Sequence, residues 1–184
     1  MTRQRQGADS AFQRVISRLS GYWKMEAGCA VALPFAGLYV LRDMGAPAGP
    51  WVILSMAAAS VLLLIGAACW RMELAVATGD RALARRIRRW LAPTRGPAQA
   101  LAALGLLAAL MQLWADRRWT PQAIAATAFG VLAVLEYLNY YVVQLQHFDH
   151  LADFRRLIAG KGFRRPHLAK AIARYRAGDG RPAP

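Results

Sequence analysis

Apolar and basic blocks alternate along this chain. Residues 25–41, 51–70, 98–115 and 123–143 are almost continuously apolar. At about 1.5 Å per residue, a run of about 20 such residues crosses the roughly 30 Å hydrocarbon core of a bilayer. The pattern predicts four transmembrane helices. A membrane β-barrel would need apolar and polar residues to alternate over about ten positions per strand, and the chain has no such alternation. The expected fold is all-α, an integral membrane four-helix bundle with short basic amphipathic helices on one side. The domain division follows from it. Residues 1–24 form an amphipathic N-terminal helix, residues 25–145 a membrane domain with a basic loop at 71–95, and residues 146–184 a basic helical tail.

Turn formers and caps punctuate these blocks. Asp9 or Ser10 suits the start of a first helix, in which Phe12, Val15, Ile16 and Leu19 oppose Arg14 and Arg18. Such a helix is expected to lie on the membrane surface and to end near Gly21, with Tyr22 and Trp23 at headgroup level. Gly28, Ala32 and Ala36 recur every fourth residue, a stripe that admits a second helix at close range, and Pro34 predicts a kink. Residues 42–50 are a short turn rich in Gly and Pro. The second span runs between Trp51 and Trp70, read as markers of the two interfaces, and its helix continues to a Gly79 cap. Asp80 then opens a helix with Leu83, Ile87, Trp90 and Leu91 on one face and Arg81, Arg85, Arg88 and Arg89 on much of the rest; Pro93 ends it. Pro121 opens the fourth span, which the sequence extends without a break through the polar run 144–156 to Gly160.

Charge adds orientation to this picture. A net charge of +14 accompanies 57% hydrophobic residues, a mixture unlike that of a soluble domain. Arg3, Arg5, Arg14, Arg18 and Lys24 precede the first span; Arg71, Arg81, Arg85, Arg86, Arg88, Arg89 and Arg95 follow the second; nine basic residues from Arg155 to Arg181 follow the fourth. The other two loops hold only Arg42, Arg117 and Arg118. By the positive-inside rule both termini are cytoplasmic, and the Ala- and Arg-rich composition suggests a bacterial inner membrane. Arg81, Arg85, Arg88 and Arg89 are candidate ligands for anionic phospholipids of the inner leaflet; their plainer role is to set topology. Cys29 and Cys69 fall near the inner ends of their spans, where thiols stay reduced.

One acid lies well inside a span. Glu136 falls on one helical stripe with Asn139, Tyr140, Val143, His147 and His150, about 10 Å above the inner end of the fourth span. Glu26, Glu73 and Arg71 are its possible partners on other helices. Three readings follow: a structural hydrogen-bonding residue; a proton or cation site in a vestibule, with His147 as a titratable neighbour; or a metal site using the carboxylates, His147 and His150. With three histidines in the chain and no multi-histidine signature, the third is the weakest, and no cofactor is expected.

No phosphate-binding glycine loop, nucleophile paired with a base, or zinc-protease helix occurs. The expectation is a non-enzymatic scaffold or accessory module whose basic collar docks anionic lipid or a protein partner. The alternative is a small transporter or channel coupled through Glu136. Small-residue stripes favour a homo-oligomer. The amphipathic basic tail fits a membrane surface more simply than nucleic acid.

Overall fold

The structure, a computed structural model, describes residues 2–143. Residues 144–184 lie outside the described residues, and with them His147, His150 and the expected tail helix. The described chain is all-helical, with five α-helices: α1 (Thr2–Asp43), α2 (Pro50–Ala77), α3 (Arg81–Leu91), α4 (Arg95–Asp116) and α5 (Pro121–Tyr137). A π-helical turn, Leu138–Val142, closes α5. Four of the helices, α3 excepted, are long and apolar enough to cross a membrane. The protein is a multi-pass membrane protein.

The helix ends follow local chemistry. Gly49 in extended conformation precedes Pro50, whose missing N–H costs nothing at a first helical turn. Thr120 repeats the device before Pro121, and its hydroxyl accepts a hydrogen bond from the Ala123 amide at 3.1 Å. Asp80 caps α3 by accepting from the Leu83 amide at 3.0 Å. Between α2 and α3 the chain reverses at Gly79, whose φ of 80° is open to glycine at little cost.

The helices run up and down, so the chain returns to the same end of the bundle at Lys24, Trp70, Arg95 and Val142. That end, with its arginines, is the basic end. At the opposite end the α1–α2 and α4–α5 turns meet, where Gln122 Nε2 donates to the Pro47 carbonyl at 3.5 Å. Here Asp116 accepts from Gln112 Nε2 at 3.0 Å and from the Thr120 hydroxyl. A polar knot thus closes the turn after α4, at a level where an unpaired amide would be costly.

α2 is the hub. It packs against α1, α3, α4 and α5, whereas α1 packs almost only on α2. The core is correspondingly a layer around α2, with Val52, Ser55, Leu62 and Met72 fully enclosed. Small residues set the closest crossings. At the α4–α5 crossing a methyl on Gly130 would stand 2.7 Å from the Gly105 carbonyl oxygen and 2.9 Å from Ala109 Cβ, so Gly105 and Ala109 are the small residues that admit α5.

Two sequence expectations change. α1 does not stop at Gly21: one helix runs from Thr2 through residues 12–24 into the span and on to Asp43, with Pro34 inside it. One helical glycine costs about 1 kcal/mol, too little to end a helix with favourable residues on both sides. The stripe Gly28, Ala32 and Ala36 faces outward, and α1 instead turns Glu26, Ala30 and Leu41 inward. The fourth span does not run on as one α-helix. It widens into the π turn, and Val143 is extended, with φ −141° and ψ 125°.

Candidate functional site

Buried polar side chains gather at the basic end, between α1, α2 and the π turn. Their centre is Glu26, 5% exposed. Its Oε1 accepts from Trp70 Nε1 at 2.8 Å and from the Tyr140 hydroxyl. Trp70 Nε1 also lies 3.0 Å from Tyr140 Oη. One carboxylate oxygen, one indole N–H and one phenol from three separate helical segments therefore close a triangle. Tyr22 packs on Trp70 with ring centroids 5.1 Å apart, which covers the triangle on the α1 side.

The space for this triangle comes from Gly66, one turn before Trp70 on α2. A methyl there would collide with Glu26 Oε2 and stand 2.6 Å from a Tyr140 ring carbon. Glycine is required for close approach of a carboxylate and an aromatic ring to the helix backbone.

Asn139, Tyr140 and Tyr141 are all buried. Three consecutive inward residues are awkward for an α-helix, which turns about 100° per residue; the wider π turn keeps them nearer one side. Tyr141 reaches the other way from Tyr140, toward the α3–α4 turn. Thr94 Oγ1 donates to the Leu91 carbonyl at 2.7 Å, so the Tyr141 hydroxyl, 2.6 Å away, donates to Thr94. Tyr137 stacks on Tyr141 at 5.4 Å between centroids and donates to Gln99 Oε1 at 3.5 Å.

Glu136 sits one turn before Tyr140 and is half-buried. Its Oε2 is sealed from solvent and has no hydrogen-bond partner among the described residues. It lies within electrostatic reach of Glu26, and Cys69 lies within reach of Glu26, Glu73 and Glu136. The structure thus brings Glu136, Tyr140 and Glu26 into one neighbourhood. Asn139 is buried beside them in sequence. Arg71 is set apart: it is exposed, with its guanidinium 5.3 Å from the centre of the Trp23 ring. No group of three or more His, Cys, Asp or Glu residues arranged to hold a metal occurs among the described residues.

The second feature of the basic end is α3. Ala84 and Leu91 are buried and Ile87 packs against the same core, which seats the helix on α2. Arg81, Arg85 and Arg89 are exposed. Trp90, expected on the apolar face, is 58% exposed; the seat is made by smaller residues, and the indole is left on the flank. Arg88 departs from its expected solvent-facing place, being half-buried with its Nε sealed.

Gly66 and the pair Thr94–Tyr141 are members of these clusters that the sequence reading does not single out, and Trp70, read there as an interface marker, is a hydrogen-bond donor to Glu26. A signal for Trp70 was present. Glu26 lies 21 residues before Pro47 and Trp70 lies 23 after it, so an antiparallel hairpin turning at Pro47 sets them side by side. Comparison with protein-family models, with curated proteins and with solved structures gives no match for this chain.

Proposed function

We propose that this protein is a non-enzymatic multi-pass membrane module, a scaffold or accessory subunit whose basic end faces the cytoplasm of a bacterial inner membrane and docks anionic lipid or an acidic protein partner. The observation that carries the reading is the seating of α3. Ala84, Ile87 and Leu91 fix the helix on α2, so Arg81, Arg85 and Arg89 are presented on a held surface and not on a loose loop. Exposed Trp90 supplies an aromatic ring at the same level, the residue type that settles at headgroups. Near an anionic leaflet each arginine contributes about 1 kcal/mol. The outward stripe Gly28, Ala32 and Ala36 supports assembly with a second copy through α1. The test is the phospholipid that leaves the membrane with the protein in polymer-bounded native discs. Enrichment of phosphatidylglycerol over the bulk membrane, abolished by Arg81→Gln/Arg85→Gln/Arg89→Gln, supports the reading; bulk composition around the wild type contradicts it.

A second reading is favoured by one atom, the sealed and unpartnered Oε2 of Glu136. A buried, unpartnered acid inside a span, with a second buried acid nearby, is the kind of group that lines an ion or proton pathway. In this reading the protein is a small transporter or channel with Glu136 as its coupling residue. Proton or cation flux into proteoliposomes, lost in Glu136→Gln, would support it; undiminished flux in that variant, or none in the wild type, would remove it.

A further inference from the structure

The arginines of α3 are not equivalent. At about 100° per residue, Arg88, Arg81, Arg85 and Arg89 follow one another around the helix, and Arg88 stands at the inner edge, beside Ala84 and Leu91. Arg86 lies on the far side from Ala84. Burial follows this order: Ala84 and Leu91 are buried, Arg88 is half-buried, and Arg81, Arg85, Arg86 and Arg89 are exposed. Arg85 Nε donates to the Arg81 carbonyl at 3.3 Å. Arg88 Nε is shut off from solvent and meets no acceptor among the described residues.

Burying that N–H unpaired is unfavourable, and an anion held against the part of the half-buried guanidinium that stays open offsets the cost. The planar fork of arginine matches two oxygens of a phosphate, which an ammonium does not. Arg81 and Arg85 lie on the same flank and can neutralise the same group.

We propose that Arg88, assisted by Arg81 and Arg85, binds the phosphate of one anionic phospholipid in a defined site at the inner edge of α3. The inference rests on the lipid-docking reading above and narrows it from a diffuse collar to one seated headgroup. A soluble phosphate ester would offer the same oxygens; the membrane setting of the helices around α3 favours a lipid.

The experiment is native mass spectrometry of the full-length protein titrated with phosphatidylglycerol or phosphatidylcholine. Variants are Arg88→Lys and, as the control on the opposite side, Arg86→Gln. The expected result is one phosphatidylglycerol bound with saturation, weakened on the order of tenfold by Arg88→Lys although the charge is kept, and little changed by Arg86→Gln. Millimolar inorganic phosphate should leave that lipid in place. Should Arg88→Lys bind like the wild type, or Arg86→Gln lose as much, the defined site is overturned while the collar reading stands. No preference for phosphatidylglycerol in the wild type overturns the collar itself. Displacement by inorganic phosphate overturns the assignment to lipid. A photoactivatable phosphatidylglycerol on the unmodified protein gives an arm free of folding effects. Adducts are expected on residues 81–95, and adducts confined to other segments contradict the site.

Discussion

Trp70 Nε1 stands 2.8 Å from Glu26 Oε1 and ties α2 to α1 inside the membrane region. The same oxygen receives the Tyr140 hydroxyl, 114 positions from Glu26. The bond therefore joins the two ends of the described bundle as well as two neighbours. Since α1 packs almost only on α2, this polar contact adds a directional hold to that packing.

Glu26→Ala is expected to leave the buried Tyr140 hydroxyl without its acceptor, Trp70 keeping only the Tyr140 oxygen, and to lower stability by about 1–3 kcal/mol. Glu26→Gln keeps an acceptor oxygen and should cost less than half as much. Unfolding in mixed detergent measures both; equal losses would contradict the role given to Oε1.

Gly66→Ala places a methyl against Glu26 and Tyr140 and should destabilise by about 1–3 kcal/mol through overpacking. Gly28→Ala meets nothing within 4 Å and should be neutral or slightly stabilising through better helix propensity. Gly28 faces outward, so the second variant leaves the fold intact while testing assembly. A loss of dimer on crosslinking, at unchanged melting temperature, is the outcome expected of the α1 stripe.

Thr94→Val and Tyr141→Phe should each cost about 0.5–1.5 kcal/mol. The double variant should cost little more than either alone, because both delete the 2.6 Å contact between the α3–α4 turn and the π turn. Additive losses in a double-mutant cycle would show that the two hydroxyls act separately.

What could be read in the sequence was local. Gly49–Pro50, Gly79, Asp80 and Thr120–Pro121 mark helix ends through their own conformational chemistry, and the structure places helix ends at each. What could not be read depended on partners far along the chain. Glu136 attracts attention as an acid in the middle of an apolar run, whereas Glu26 sits at the edge of a span, where an acid is unremarkable. Only contact with Trp70 and Tyr140 makes Glu26 the centre. The π turn was hidden because a wheel drawn at about 100° per residue assumes the α pitch it departs from. Arg88 resembles its neighbours in composition, and its inner position follows from Ala84, too small to weigh in a hydrophobic pattern, which joins Leu91 in the buried face while Trp90 is left outside it.

The central claim, that a held basic face of α3 docks anionic lipid, is tested most directly by spin-labelled lipids around the reconstituted protein. The fraction of motionally restricted phosphatidylglycerol is compared with that of phosphatidylcholine, in the wild type and in Arg81→Gln/Arg85→Gln/Arg89→Gln. Selectivity for phosphatidylglycerol of about tenfold at low salt is expected, falling to near parity in the triple variant and in high salt. Equal restriction of the two lipids around the wild type, or selectivity untouched by losing the three arginines, would contradict it.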